Sequence, residues 1–169
     1  LFDNWEQCWT LIESDWYKDQ CKQLEEKGLK LLASNWAYGA RHTLTVAPVN
    51  TVEDLAGMKI RVPNNKIQSL GFDVLGATST GMALGDVYQA LQTKTIEGAE
   101  NPLSTLYGRK LHEVAKYLIM DGHVLNFTTW VCSNDWFNSL TAEQQEWLLE
   151  AGKEAGVYNN EVQTASEQE

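Results

Sequence analysis

Gly57-Met58-Lys59-Ile60-Arg61-Val62-Pro63-Asn64 is the stretch from which the fold is read. Met58 to Val62 alternates with period two, the pattern of a β-strand. Pro63 ends it because proline brings no amide hydrogen to a ladder. Just before it, Thr51 to Gly57 has the pattern of a one-turn helix with a threonine cap and a glycine stop. Beyond it, the spacing predicts a helix over Ile67 to Leu75, followed by Gly76 and the small-residue stretch Ala77-Thr78-Ser79-Thr80-Gly81. Asp86 to Thr93 is helical, with Val87, Tyr88 and Leu91 on one face. Thr95 to Gly98 reads as a short strand and turn, and Pro102 stands where the first turn of a helix tolerates proline.

Upstream, residues 1–27 read as two short helices. Trp5, Cys8, Trp9, Leu11 and Ile12 recur at helical spacing, and Ser14 and Asp15 offer caps to a second helix carrying Trp16, Cys21 and Leu24. Gly28 follows as a C′ glycine. Leu29 to Trp36 reads as a buried strand, Ala37 to Arg41 as a crossing segment containing Gly39, and Thr43 to Val46 as a further extended piece. Residues 116–132, rich in β-branched and aromatic side chains, predict one or two strands, and Thr141 caps a long final helix. Strands alternate with helices, so the class is α/β, with much of the sheet parallel and buried on both faces. Most of the seven tryptophans sit at helical spacings that predict core packing.

The 169 residues carry a formal net charge of −10 and are 43% hydrophobic and 21% charged, the composition of a folded chain. A pI near 4.7 argues against a nucleic-acid partner, which is held by clustered Lys and Arg. No apolar run approaches the ~20 residues that cross a bilayer. Cys8, Cys21 and Cys132 form no C-x-x-C and have no zinc spacing; three buried free thiols are expected, with a Cys8–Cys21 bridge as the open alternative. The chain begins at Leu1 without a basic-then-apolar leader, which is consistent with a mature or truncated product.

Arginine is scarce: Arg41, Arg61 and Arg109 stand against ten lysines. A guanidinium offers a planar fork that holds a carboxylate bidentately, which an ammonium cannot do. Arg61 lies at the carboxyl end of a predicted strand, where open α/β sheets bind ligands. At this level it stays open between a carboxylate clamp and a surface ion pair. Arg41 reads more readily as an ion-paired residue, Arg109 as a solvated helix end, and Asn101 as an N-cap before Pro102. Trp36, beside the crossing segment, is a candidate pocket wall. His42, His112 and His123 have no metal spacing, Glu97 and Glu100 make a weak acid/base pair, and no nucleophile–base set or phosphate loop can be assembled. No cofactor, metal or catalytic residue is assigned.

Gly57 to Asn64 is followed in order by Gly76-Ala77-Thr78, Met82, Asp86-Val87-Tyr88-Gln89-Ala90-Leu91-Gln92-Thr93 and Glu97-Gly98-Ala99-Glu100-Asn101-Pro102-Leu103. This series resembles the DctP-type substrate-binding proteins of tripartite ATP-independent periplasmic (TRAP) transporters, across essentially the whole chain. The resemblance implies a periplasmic-binding-protein-like α/β fold of two lobes that close on an organic acid. It places Arg61 as the arginine that grips the carboxylate, Arg41 as a second arginine of the sugar-acid branch, and Asn101 and Asn64 as assisting asparagines. Leu84 falls at a pocket-wall position that is often Phe, and Ser79 and Gly81 also depart from the sialic-acid branch, Gly81 where proline is common. These departures leave the clamp intact and the sugar-ring specificity open.

The same resemblance implies an incomplete internal fragment, with 1–38 part of lobe I, 39–126 most of the clamp-bearing lobe II, and 127–169 a further part of lobe I with a connecting helix. Such a fragment is expected to expose apolar faces and unpaired sheet edges, and so either to self-associate, to swap elements, or to be part of a longer protein. The implied role is extracytoplasmic capture of a carboxylate-containing acid for TRAP membrane permease subunits. A ligand-sensing module signalling to a membrane kinase is the alternative.

Overall fold

The computed structural model describes residues 2–167. Two helices open the chain, α1 (Trp5–Glu13) and α2 (Asp15–Glu26), started by the side chains of Asn4 and Ser14, which accept from the amides of Gln7 and Tyr17. Gly28, at φ +85°, ends α2 as the sequence predicts. The chain then runs through β1 (Leu29–Thr45), β2 (Lys59–Val62), α3 (Lys66–Val74), β3 (Thr78–Gly81), α4 (Val87–Gln92), β4 (Gly98–Pro102), α5 (Leu103–Gly108), β5 (Tyr117–Ser133), α6 (Asn134–Asn138) and α7 (Ala142–Ser166). The one-turn helix before β2 is a 3₁₀ turn closed by a reciprocal cap between Thr51 and Asp54.

The strands form one sheet in the order β3-β2-β4-β1-β5. It is mixed: β2 runs parallel to β3 and β4, whereas β1 is antiparallel to β4. The expectation that much of the sheet is parallel holds for β3, β2 and β4, to which β1 adds an antiparallel neighbour. Cα proximities divide the chain into two units, Ala40–His123 and the residues on either side of it, and the chain passes between them within β1 and within β5.

In the Ala40–His123 unit, α/β packing produces two apolar clusters. Ile60 and Val62 alternate onto one face of β2 and pack with Leu55, Phe72 and Ala77. Leu44 and Ala99 pack with Val87, Leu91, Ile96, Leu106 and Leu111 in the other cluster, against which Met82 and Leu84 lie half-buried. Two elements differ from the sequence reading. Thr78 to Gly81, read as a small-residue stretch, is the edge strand β3, because pairing with β2 overrides weak intrinsic preference. The strand expected at Thr95 to Gly98 begins at Gly98 and runs to Pro102, so Asn101 is a strand residue and not a cap.

The other unit has a thin core; among its described residues the buried apolar side chains are Cys8, Ala33 and Phe137. The predicted break at Ala37 to Arg41 is absent, and β1 continues through Gly39 at φ +126°. Amides of α7 serve as its partner there. Asn160 Oδ1 accepts from the Ala37 amide at 2.7 Å, Asn159 Nδ2 donates to the Ala37 carbonyl at 2.9 Å, and Asn160 Nδ2 donates to the Asn35 carbonyl at 2.9 Å. Gly156 permits this approach, since a β-carbon there would lie 2.5 Å from Asn35 Oδ1.

Trp16, Trp130, Trp136 and Trp147 are exposed, which corrects the expectation of core packing. Helical spacing places side chains on a shared face but does not determine whether that face is covered. Of the three free thiols only Cys8 is buried; Cys21 and Cys132 are half-buried. Among the described residues no helix is long and apolar enough to cross a membrane.

Candidate functional site

Arg61 lies on β2 opposite Ala99 of β4, and Arg41 on β1 opposite Pro102 of β4. Because side chains alternate along a strand, Arg61, Ala99 and Asn101 share one face of the sheet, and Arg41 shares the other with Glu100. Both arginines are almost wholly withdrawn from water, at 2% and 3% exposure for Arg41 and Arg61. Arg61 stands near the carboxyl end of β2, and Arg41 meets β4 at its carboxyl end, the end of a strand at which open α/β sheets bind ligands.

Arg61 Nε and Nη2 both donate to the Met82 carbonyl, at 2.9 and 2.7 Å. The guanidinium is thus tied to the backbone that leaves β3. Arg41 grips Glu100 through both carboxylate oxygens, Nε on Oε2 and Nη2 on Oε1 at 2.7 Å. Its Nη2 also donates to the Glu100 carbonyl at 3.1 Å and to Asn101 Oδ1 at 3.2 Å. Asn101 therefore meets Arg41 while belonging to the Arg61 face.

The remaining candidates are distributed differently. Asn64 is exposed and lies over Gly81, where an added β-carbon would collide with its Oδ1. Leu84 sits in the 3₁₀ turn after Met82, half-buried on the larger apolar cluster. Trp36 belongs to the other unit, where its Nε1 donates to the Gly152 carbonyl at 2.9 Å and its ring lies 4.6 Å from that of Trp130. The structure brings Arg41 and Asn101 together and sets Arg61 and Asn64 on either side of the Gly81–Met82 backbone.

Sequence reasoning missed the carboxylate and imidazole that complete the cluster. Glu100 is fully buried, and His123 Nε2 lies 3.3 Å from its Oε2. His123 Nδ1 lies 3.1 Å from Asp121 Oδ2. Asp121 is held in turn by the Thr43 hydroxyl at 2.6 Å and the Thr43 amide at 3.1 Å. The ring of Phe72 stands edge-on to His123 at 5.4 Å. The one available signal was Glu100 itself, a carboxylate in a run whose other members are apolar or small. Nothing local marks His123 as its partner.

Burial alone would lower the His123 pKa, but hydrogen bonds and charge from Asp121 and Glu100 outweigh it and raise the value from 6.5 to about 9. Burial raises the Asp121 carboxyl, and its bonds to His123 and Thr43 outweigh that and hold it below the usual range. A raised folded-state pKa means that the stabilisation from charged His123 is complete below about pH 6.5 and is lost as pH rises through about 9. The difference in urea-unfolding free energy between the unsubstituted protein and His123→Gln is therefore expected to be largest at pH 6 and to shrink towards pH 10. A difference independent of pH would refute the assignment of an imidazolium held between Asp121 and Glu100.

The chain matches the family described as bacterial extracellular solute-binding protein, family 7 (DctP), over residues 1–169, and it belongs to that family. It is 36% identical over 146 residues to the 2,3-diketo-L-gulonate-binding periplasmic protein of Escherichia coli, covering 86% of this chain and 44% of the relative. It is 34% identical over 160 residues to the sialic acid-binding periplasmic protein of Vibrio cholerae, covering 94% of this chain and 49% of the relative. Among solved structures, a TRAP periplasmic solute-binding protein of Ochrobacterium anthropi with bound L-fuconate superimposes with a TM-score of 0.94 at 36% identity. That match covers 99% of this chain and 56% of the other. The chain thus spans about half the length of the curated relatives it matches.

Proposed function

We propose that these residues are part of an extracytoplasmic solute-binding component of a TRAP-type secondary transporter, which captures a carboxylate-containing organic acid, of the sugar-acid class, for membrane permease subunits. The observation that carries this reading is the presence, in a chain of this family, of two dehydrated guanidiniums at strand carboxyl ends, Arg61 on β2 and Arg41 against β4, with the Asn101 amide bonded to the second. In this reading Arg61 takes the carboxylate. Arg41, already neutralised by Glu100, orients the Asn101 amide, and Asn64 and Leu84 line the approach. The relatives cited above are binding proteins, which favours capture over the sensing alternative. Binding energy would shift a conformational equilibrium, and no bond would be made or broken.

The test is a thermal-unfolding panel on the intact protein with L-fuconate, galacturonate, sialic acid, 2,3-diketogulonate and matched neutral sugars. A cognate acid at a hundred times its Kd is expected to stabilise by about 2.7 kcal/mol, and the neutral sugars not at all. A panel in which no acid stabilises the protein rejects the reading.

A further inference from the structure

Between Glu100 and Asp121 the chain carries one acid, Glu113, against Arg109, Lys110 and Lys116, in a protein whose formal net charge is −10. Leu106, Leu111 and Ala115 are buried in the larger apolar cluster and peg this segment to the Ala40–His123 unit. From the end of α5 the chain turns at Lys110, at φ +58°, into a 3₁₀ turn (Leu111–Glu113). With the apolar positions drawn inward, Tyr107, Arg109, Lys110, His112 and Lys116 are left exposed. Tyr107, 75% exposed, stacks on His112 with ring centroids 5.1 Å apart and planes at 12°. Lys116 Nζ donates to the His112 carbonyl at 2.9 Å, which holds the far end of the segment against the same residue. Glu113 is engaged elsewhere, accepting from the Tyr88 hydroxyl at 3.0 Å. Among the described residues none of Arg109, Lys110 and Lys116 is ion-paired with a carboxylate.

We infer that this turn is a docking surface for an anionic phospholipid bilayer, with Arg109, Lys110 and Lys116 meeting the headgroup phosphates and the Tyr107 ring resting at headgroup level. Each Lys or Arg held near an anionic bilayer strengthens binding about fivefold, an effect that fades beyond ~10 Å. The same screening weakens repulsion from the protein's more distant carboxylates, so the charge that a bilayer meets is the local one. An acidic chain can then approach an anionic surface only through its basic turn, and the turn fixes which face is presented. The exposed tyrosine favours a bilayer over an acidic protein surface, because a bilayer sets an anionic layer directly above an apolar one, where a ring with a polar tip is most stable. This inference does not depend on the carboxylate reading of Arg61, and its test needs no solute.

The experiment is co-sedimentation of the intact protein with vesicles of phosphatidylglycerol mixed with phosphatidylcholine, and with vesicles of phosphatidylcholine alone. Binding is expected to the anionic vesicles and not to the neutral ones, and it should weaken as salt is raised. Arg109→Gln alone is expected to weaken it about fivefold, and Arg109→Gln, Lys110→Asn and Lys116→Gln together about a hundredfold. Asparagine is used at 110 because it tolerates the left-handed backbone there. Lys18→Gln, Lys22→Gln and Lys27→Gln together remove the same charge from α2 and the residue that ends it, and are expected to leave binding unchanged. Absence of a preference for the anionic vesicles overturns the inference and leaves an acidic protein as the occupant of the turn. Undiminished binding in Arg109→Gln and in the triple variant of the turn, or an equal loss in the α2 variant, overturns it as well.

Discussion

Glu100→Ala is expected to destabilise the protein by about 3–5 kcal/mol, the range for removing one partner of a buried ion pair. Glu100 is fully buried and Arg41 is 2% exposed, so water cannot replace the lost carboxylate. The substitution also removes the Nε2 contact of His123, and two cations would then face a cavity where one anion stood. The measurement is urea unfolding at pH 7, where the midpoint should fall with an unchanged slope. Arg41→Met combined with Glu100→Leu should recover much of the loss, because the desolvation cost of the pair disappears together with its attraction. A single substitution costing under about 1 kcal/mol would show that Glu100 is not the counter-charge the geometry makes it.

Arg61→Ala is expected to weaken acid binding in the intact protein by about 2–5 kcal/mol, the cost of leaving a buried carboxylate without its cation. Arg61→Lys should restore only part of this, since an ammonium cannot hold Met82 and a carboxylate with one planar fork. Calorimetry on both variants, paired with their melting temperatures, separates lost recognition from lost stability. Undiminished affinity in Arg61→Ala would remove the clamp from this position.

The local elements were largely legible because their signals lie within a few residues. Ser14 and Thr141 accept hydrogen bonds from helix amides three positions on, as residues of their type do. Period-two alternation located β2, and Gly28 closed α2. Less was legible where a distant segment supplies the missing bond. The continuity of β1 depends on Asn159 and Asn160, more than a hundred residues away, and β3 exists because β2 lies beside it.

Arg61 stood out by its scarcity and its place at a strand end, both of which are linear properties of the chain. The fate of Arg41 was not linear. Whether its guanidinium is free for a ligand or held by the protein depends on Glu100, which lies far off in sequence and reaches it only through the antiparallel register of β1 and β4. The seven tryptophans show the same division. Their spacing assigned them to common faces, while cover for those faces is a matter of what packs against them.

The sequence by itself determined the family, the α/β class and the identity of the arginine at the carboxyl end of β2, because motif order, periodicity and residue chemistry are all carried by neighbours along the chain. Only the tertiary structure decided that the buried Arg41–Glu100 pair continues through His123 to Asp121 in one charge network. Coulomb attraction and desolvation act through space, and the distances that govern them arise only when strands distant in sequence come into register.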